Sequence, residues 1–459
     1  MKLFSTNTIA VPNDLSALTQ VIPDQEVDPQ DVGLTTHQRD LIWTAVENLY
    51  RTGISPAVTF CLRKGGKVVL NRSLGHRRGN GPADSPDTPK ELAHPDTPMC
   101  LFSASKVVTA MLVHKLTEDH QIDLLAPVAH YLPEFGVNGK QHITAAHILS
   151  HRAGLPTIQG DFETDLLFDT PAVVKVLFDA KPQSRSGHKA AYHAVTGGYI
   201  LGELIQRVSG MDARQYLQQL ITTPLGMKHF NYGLAPEHRG TEAVGYATGL
   251  KPVLAVDWFL QNALGGDLDT VVNLTNDPRF MDVICPAGNI FATADEACRF
   301  FELLLRGGEL DGLRAGDPGP GGSSGQHYRS EHPPYWHPGG TGLCADAGSD
   351  LAGHADLVDV AGVGRRVVRV GRAVDRALEN QHVDQAAQRG QARADLLQRG
   401  LDVGAGVVGA GVDDVDVARV ERHRAGFTID AAYPTRRRRV VEDAARAVAL
   451  VVVGKHPAG

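Results

Sequence analysis

The composition of this chain changes abruptly near Leu313, and this change limits which part of the chain can form a packed core. From Arg314 to Gly459 the sequence contains one lysine, one isoleucine, one phenylalanine and no methionine, and it is rich in glycine, alanine, valine, arginine and aspartate. Protein cores are built mainly from large apolar side chains, so this stretch offers little material for one. We therefore expect the folded domain to lie within residues 36–313.

The flanking segments are expected to differ from this domain. Residues 1–35 are polar and rich in proline and aspartate, and they are predicted to form an N-terminal arm. For residues 314–459 two explanations stay open. One is a divergent or disordered tail, and the other is a GC-rich coding sequence read in the wrong frame. We favour the wrong frame, because GC-rich codons yield this residue set in any frame.

Charge and cysteine content argue against several function classes. The 459 residues carry a formal net charge of −7, which gives no reason to expect a nucleic-acid partner, and the short basic run 436–439 is interpreted as a solvated surface patch. The five cysteines are scattered without a C-x-x-C pair, so neither a zinc site nor a disulfide framework is indicated. We predict a cytoplasmic protein, because the thiols are expected to be reduced and the start lacks the pattern of an export signal. We predict no membrane span, because the sequence lacks a long apolar run.

Hydrophobic periodicity predicts helices and one hairpin before residue 313. The β-rich runs 57–62 and 68–70 flank Gly65-Gly66 and indicate a hairpin. Helices are predicted from Ser103 to Leu116, over much of 140–230 and from Ala294 onward. A further helix over 36–52 is expected to bury one apolar face, made of Leu41, Ile42, Ala45, Val46 and Leu49.

The sequence S-A-S-K at 103–106 fits S-x-x-K, a pattern with a chemical purpose. Three residues apart on a helix, the hydroxyl of Ser103 and the amine of Lys106 lie on one face within hydrogen-bonding reach. The helix N-terminus favours a developing alkoxide on Ser103, and apolar neighbours favour the neutral, proton-accepting form of Lys106. Ser105 is expected to point elsewhere. Alone, however, such a short motif occurs by chance in many chains.

Four sequence blocks, including this motif, follow one another along the chain. They are 102–110 (FSASKVVTA), 148–156 (ILSHRAGLP), 224–227 (PLGM), and 286–295 with 307–312 (PAGNIFATAD and GGELDG). In order and spacing they resemble the nucleophile segment, the LLSHTSGLP segment, the PLGM turn and the PAGGLFSTARD…GGELDG segment of the serine β-lactamase-like superfamily. This superfamily includes class C β-lactamases and penicillin-binding-protein-like esterases. The resemblance covers residues 36–313.

The resemblance implies a second catalytic motif, Y-x-N, whose tyrosine assists proton transfer near the serine. The matching residues are Tyr192-His193-Ala194, so the tyrosine is present and the asparagine is replaced. In the family this asparagine orients the lysine and the substrate amide. Its loss argues against β-lactam turnover and in favour of an esterase. His193 is interpreted as a neighbour of the site rather than a base.

The family's third motif, K-T-G or H-x-G on a strand beside the active site, is expected after Gly312. His337-Pro338-Gly339 is a loose match that we interpret as coincidence, because a proline would disrupt that strand. A G-x-S-x-G match at 321–325 and a dinucleotide-like match at 404–409 are rejected. Both lie in glycine-rich sequence without the strand and helix that these motifs need.

The resemblance implies an α/β fold of the α+β type, with an antiparallel sheet flanked by helices, a mostly helical subdomain and an active site between them. It implies a serine hydrolase of esterase or lipase type that needs no metal or organic cofactor and cleaves small-molecule carboxylic esters through an acyl-enzyme on Ser103. Lys106 and Tyr192 would transfer the proton, and the backbone N–H of Ser103 would supply one oxyanion donor. Two alternatives stay open: a β-lactamase or D-Ala peptidase, and an impaired binding or scaffold protein that lacks the C-terminal sheet. The oligomeric state is not predicted.

Overall fold

The computed structural model describes residues 6–22, 24–158, 164–250, 268–306, 308–310, 313–314 and 447–453. Its strands are β1 (Thr6–Asn7), β2 (Thr19–Val21), β3 (Ala57–Lys64), β4 (Lys67–Arg78), β5 (Glu91–Leu92), β6 (Met99–Cys100), β7 (Asn231–Tyr232), β8 (Gly249–Leu250), β9 (Ile290–Ala292), β10 (Glu309–Leu310), β11 (Leu313–Arg314) and β12 (Ala447–Val453).

The α-helices are α1 (Thr36–Arg51), α2 (Ser105–Glu118), α3 (Ala145–Leu149), α4 (Thr170–Asp179), α5 (Thr196–Ser209), α6 (Ala213–Leu217), α7 (Leu268–Asn276), α8 (Pro278–Asp282) and α9 (Ala294–Leu305). A π-helical turn spans Gln218–Thr222. Short 3₁₀ turns lie at Ser16–Leu18, Pro29–Val32, Phe102–Ala104, Val128–His130, Pro133–Gly136, Thr164–Phe168 and Pro236–His238.

The main sheet is antiparallel, with the strand order β12-β3-β4-β2 and β5 paired to the end of β4. The predicted hairpin is confirmed as its centre. Gly65 and Gly66 both have positive φ, a conformation that glycine adopts without a Cβ clash. Helices α1 and α9 pack against this hairpin and bury β3 along almost its whole length. Strand β2 lies within the predicted N-terminal arm, and β12 lies within the predicted tail.

A second antiparallel sheet, in the order β6-β9-β7, brings two of the sequence blocks together. Met99 pairs with Ala292 and Cys100 pairs with Phe291. Strand β6 leads into the S-x-x-K motif, and β9 follows the loop 285–289. The β6–β9 pairing therefore holds that loop beside the start of α2.

The helical part of the described chain is built around α5. Helices α2, α3, α4 and α6 all pack against α5, and α2 also packs against α6. Buried apolar side chains from α2 and α5 join the same core, among them Leu112, Leu116, Ile200 and Leu204. The predicted combination of an antiparallel sheet, flanking helices and a mostly helical region is confirmed.

The prediction for the buried face of α1 is wrong except at Val46. Leu41 and Leu49 are 47% and 37% exposed, whereas Trp43, Val46 and Tyr50 are buried. These three residues are spaced three and four positions apart, so they also form one helical face. Two aromatic rings bury more apolar area than two leucines, which favours this face against the sheet.

Several other predictions fall partly or wholly outside the described residues. The domain boundary near 313 stays a prediction, because residues 315–446 are not described. Cys344 and the basic run 436–439 lie in that range, and the four described cysteines carry free thiols. Within the described ranges, none of the helices combines the length and the apolar character needed to cross a bilayer.

Candidate active site

Ser103 lies in the 3₁₀ turn Phe102–Ala104, which leads directly into α2. The sequence predicted an α-helix from Ser103, but its first turn is the tighter 3₁₀ form. Phe102 has a φ of +48°, a left-handed conformation that costs a bulky residue about 1–3 kcal/mol. The hydroxyl-bearing Ser103 that follows is exposed to solvent. Backbone strain beside an exposed serine is typical of a functional site.

The three predicted site residues meet at the Oγ atom of Ser103. The Lys106 Nζ atom donates to this oxygen at 3.2 Å, and the Tyr192 hydroxyl donates to it at 2.8 Å. The Nζ atom also lies 5.1 Å from the centre of the Tyr192 ring. Lys106 lies in the first turn of α2, three residues after Ser103, whereas Tyr192 comes from the loop before α5. Both predicted partners therefore lie within proton-transfer reach of one hydroxyl.

A second hydrogen bond fixes the position of the Lys106 amine. Its Nζ atom donates to the backbone carbonyl of Ala287 at 2.9 Å. The loop that carries this carbonyl is held by the fully buried Asn289, whose Oδ1 accepts from the N–H of Cys285 at 2.9 Å. The Asn289 Nδ2 atom donates to the carbonyls of residues 280 and 283 at 3.0 and 2.8 Å. Asn289 could not be predicted from the sequence, because a buried amide between two backbone segments has no local sequence pattern.

Residues of α2 on either side of Lys106 hold the same loop. The fully buried Ser105 accepts the N–H of Ile290 at 3.0 Å through its Oγ atom, so it points away from the Ser103 hydroxyl as predicted. The Thr109 hydroxyl donates to the Pro286 carbonyl and is 2.7 Å from the hydroxyl of Tyr232. Removing the side chain of Ser105 would therefore loosen the carbonyl that orients Lys106.

Two neutral histidines surround the Tyr192 backbone. His193 is fully buried, and both of its ring nitrogens bond to backbone groups of residues 155 and 191. Burial lowers the pKa of His193 to about 4. Burial, together with the nearby His193 and Lys106, lowers the pKa of His151 to about 3. Near neutral pH, neither ring therefore carries a charge.

Two cavities border the candidate site. A cavity of about 260 Å³ has an apolar lining that includes Met99, Phe102 and Phe291, and its polar lining includes Arg78 and Glu242. A smaller cavity, of about 60 Å³, is lined by Lys106, both histidines and apolar residues of α2 and α5. The larger cavity adjoins the strained residue that precedes Ser103.

The described part of the chain holds no group of three or more histidine, cysteine, aspartate or glutamate side chains arranged to bind a metal. His337 and the two rejected glycine motifs lie outside the described residues. Of the sequence after Gly312, where the third motif is expected, the structure describes only residues 313–314 and 447–453.

Known proteins resemble this chain in sequence and in fold. The Beta-lactamase family model matches residues 44–354. The "Esterase/beta-lactamase LipL" of Mycobacterium tuberculosis is 31% identical over 230 residues, which cover 48% of this chain and 53% of that protein. The chain spans about half the length of the curated relatives it matches.

Two solved structures resemble the described fold. A family VIII carboxylesterase aligns with a TM-score of 0.51 at 25% identity. A novel penicillin-binding protein homolog from Caulobacter crescentus aligns with a TM-score of 0.50 at 26% identity. Each alignment covers 61% of this chain and 72% of the other.

Proposed function

This chain belongs to the β-lactamase family, and we propose that it is a serine hydrolase that cleaves carboxylic esters through an acyl-enzyme on Ser103. The observation that carries the proposal is the meeting of the Lys106 amine and the Tyr192 hydroxyl at Ser103 Oγ, at 3.2 and 2.8 Å. A serine hydroxyl is a weak nucleophile until a neighbouring base takes its proton. Here two groups that can exchange a proton contact the same oxygen.

In the proposed reaction, Ser103 Oγ attacks the ester carbonyl carbon while its proton passes to the Lys106–Tyr192 pair. We assign Lys106 as the member of the pair that receives this proton. A neutral amine keeps two N–H groups, so Lys106 can hold the Ala287 carbonyl while its lone pair accepts the proton. The pair then returns this proton to the alkoxide that leaves. A water molecule repeats the sequence on the acyl-serine and releases the carboxylic acid.

The position of Ser103 in the first helical turn supports charge stabilisation during this reaction. The first backbone N–H groups of a helix have no partner within it, and they point toward negative charge. We assign the N–H of Ser103 as one oxyanion donor. A preorganised donor of this kind contributes about 10²–10³-fold to the rate in serine hydrolases.

The lining of the larger cavity supports an ester with a short acyl group as substrate. Its apolar residues Met99, Phe102 and Phe291 adjoin the nucleophile turn. Its volume of about 260 Å³ is at the low end for small-molecule sites, which usually span about 300–1,000 Å³. We therefore place the acyl group, rather than a long chain, in this cavity.

β-Lactam hydrolysis is the second candidate function. The name of the relative from Mycobacterium tuberculosis combines esterase and β-lactamase, and this favours the candidate. Against this candidate, the buried Ala194 occupies the position of the family's asparagine and has no side-chain amide to orient a lactam. Turnover of nitrocefin compared with that of p-nitrophenyl acetate distinguishes the two substrate classes.

A fluorophosphonate probe tests the proposal, because it reacts covalently with activated serines. We expect the wild-type chain to gain one probe mass, and Ser103→Ala to gain none. Ser85→Ala is a matched control, because Ser85 is exposed on a loop outside the site, and it is expected to label normally. Absence of labelling in folded wild-type protein, or full labelling of Ser103→Ala, would contradict the proposal and favour a scaffold role.

A further inference from the structure

The three-residue segment 191–193, which carries Tyr192, is fixed by hydrogen bonds at both ends. The N–H of Ala191 donates to the carbonyl of His151 at 2.9 Å. The N–H of His193 donates to the Nδ1 atom of His151 at 3.1 Å. The ring of His151 also packs against the ring of Tyr192, with 5.0 Å between their centres. One histidine therefore contacts the backbone on both sides of the tyrosine as well as its side chain.

His193 ties the same segment to the protein core. Its Nε2 atom accepts the N–H of Leu155 at 3.1 Å, and its Nδ1 atom is 2.6 Å from the carbonyl of Ala191. The ring must therefore carry its proton on Nδ1. His151 accepts at Nδ1, so its proton lies on Nε2. The hydrogen bonds thus specify opposite tautomers of two neutral imidazoles.

We propose that His151 and His193 are positioning residues that, in these neutral tautomers, hold the Tyr192 hydroxyl against Ser103. The inference rests on the proposed function, since it explains how the tyrosine stays in place for proton transfer. It also explains how Tyr192 can be held in place in a chain where Ala194 replaces the asparagine of the Y-x-N motif. Misplacement of a reacting group by about 1 Å can cost about 10²-fold in rate.

Protonation of either ring would break this arrangement. An added proton on Nδ1 of His151 would face the N–H of His193, and two donors cannot share a hydrogen bond. The groups that face the pair are the Lys106 amine from α2, the Tyr192 ring and each other's rings. The nearby His147 and Arg152 are bonded to backbone groups of residues 144 and 187 instead.

Two substitutions of His151 that both tolerate its backbone conformation test the proposal. His151 has a φ of +59°, which asparagine and glycine adopt more readily than other residues. His151→Asn keeps an acceptor near the Nδ1 position, whereas His151→Gly removes it. With p-nitrophenyl acetate we expect His151→Asn to retain kcat within about threefold, and His151→Gly to lose about 10-fold or more, with KM of both little changed. Equal kcat values for the two variants would overturn the proposal.

A second pair of variants keeps the test decisive if His151→Gly does not fold. His193→Gln can still accept the N–H of Leu155 and cannot be charged, whereas His193→Leu fills the space without an acceptor. We expect His193→Gln to have a higher kcat than His193→Leu, with the same KM. Fluorophosphonate labelling of the wild type is read in parallel. If the wild type is labelled but the kcat of His193→Gln is no higher than that of His193→Leu, the positioning role is wrong and the proposed function stands. If the wild type is not labelled, the proposed function is wrong.

Discussion

The Tyr192 hydroxyl donates a hydrogen bond of 2.8 Å to Ser103 Oγ, although the two residues are 89 positions apart in the sequence. Ser103 belongs to the turn before α2, and Tyr192 belongs to the loop before α5. Since α2 and α5 pack directly on each other, the packing that stabilises the helical core also brings the two hydroxyls together. The geometry of the site therefore depends on that helix contact.

Replacing Tyr192 by phenylalanine tests whether this hydroxyl takes part in proton transfer. The ring stays near Lys106, but the bond to Ser103 is lost. Loss of a general acid or base typically costs about 10²–10⁴-fold, so we expect kcat for p-nitrophenyl acetate to fall within that range. The free energy of unfolding should change by less than about 1 kcal/mol, because Tyr192 is only partly buried. A kcat within threefold of wild type would exclude the role.

Replacing Lys106 by arginine separates proton transfer from positive charge. Arginine keeps the cation and most of the length, but it cannot give up its proton at working pH. If Lys106 is the base, both Lys106→Arg and Lys106→Ala should lose about 10²-fold or more in kcat. The exposed Lys228 provides the matched control, Lys228→Arg, which should behave as wild type. Activity of Lys106→Arg near the wild-type value would mean that only the charge is needed.

The buried histidines predict a specific loss of stability in acid. Histidine in the unfolded chain titrates near 6.5, whereas His151 and His193 have folded pKa values of about 3 and about 4. Between those values and 6.5 the unfolded chain binds protons that the folded chain does not, so stability falls as the pH is lowered. Each residue contributes about 1.4 kcal/mol per pH unit.

Denaturant unfolding between pH 4.5 and 7.5 measures this effect. The variant His151→Asn removes one of the two groups, so its free energy of unfolding should depend less steeply on pH than that of the wild type. The expected difference in slope is about 1.4 kcal/mol per pH unit below pH 6. Identical slopes would show that His151 is not held neutral in the folded protein.

Narrowing the larger cavity should alter acyl-chain preference. Ala243 lines this cavity, and a leucine at that position would reduce the space beside Phe102. We expect Ala243→Leu to lower kcat/KM for p-nitrophenyl butyrate about 10-fold relative to the acetate, since one or two methylenes are worth about 1–3 kcal/mol in a pocket. An unchanged ratio would place the acyl group elsewhere.

The parts of the site that depend on local spacing could be predicted from the sequence. Ser103 and Lys106 lie one helical turn apart, so their contact follows from helix geometry. Tyr192 could be placed only through the resemblance of several sequence blocks to a known family, because no local pattern links residues 89 positions apart.

The supports of the site could not be predicted in this way. Asn289, Ser105 and Thr109 act through hydrogen bonds to a distant loop, and such contacts appear only when the chain has folded. The positive φ of Phe102 has no sequence signal, since phenylalanine rarely adopts it. On α1 the spacing allowed more than one apolar face, and packing of Trp43 and Tyr50 selected one of them.

The acyl-enzyme is the central claim, and mapping its attachment site tests that claim most directly. Protein quenched in acid during steady turnover of p-nitrophenyl acetate is digested, and the peptides are analysed by mass spectrometry. The account predicts one acetyl group on the peptide that contains residues 103–106, assigned by fragmentation to Ser103, and none in the Ser103→Ala variant. An acetyl group on Ser105 or any other residue, or turnover of the Ser103→Ala variant at the wild-type rate, would contradict it.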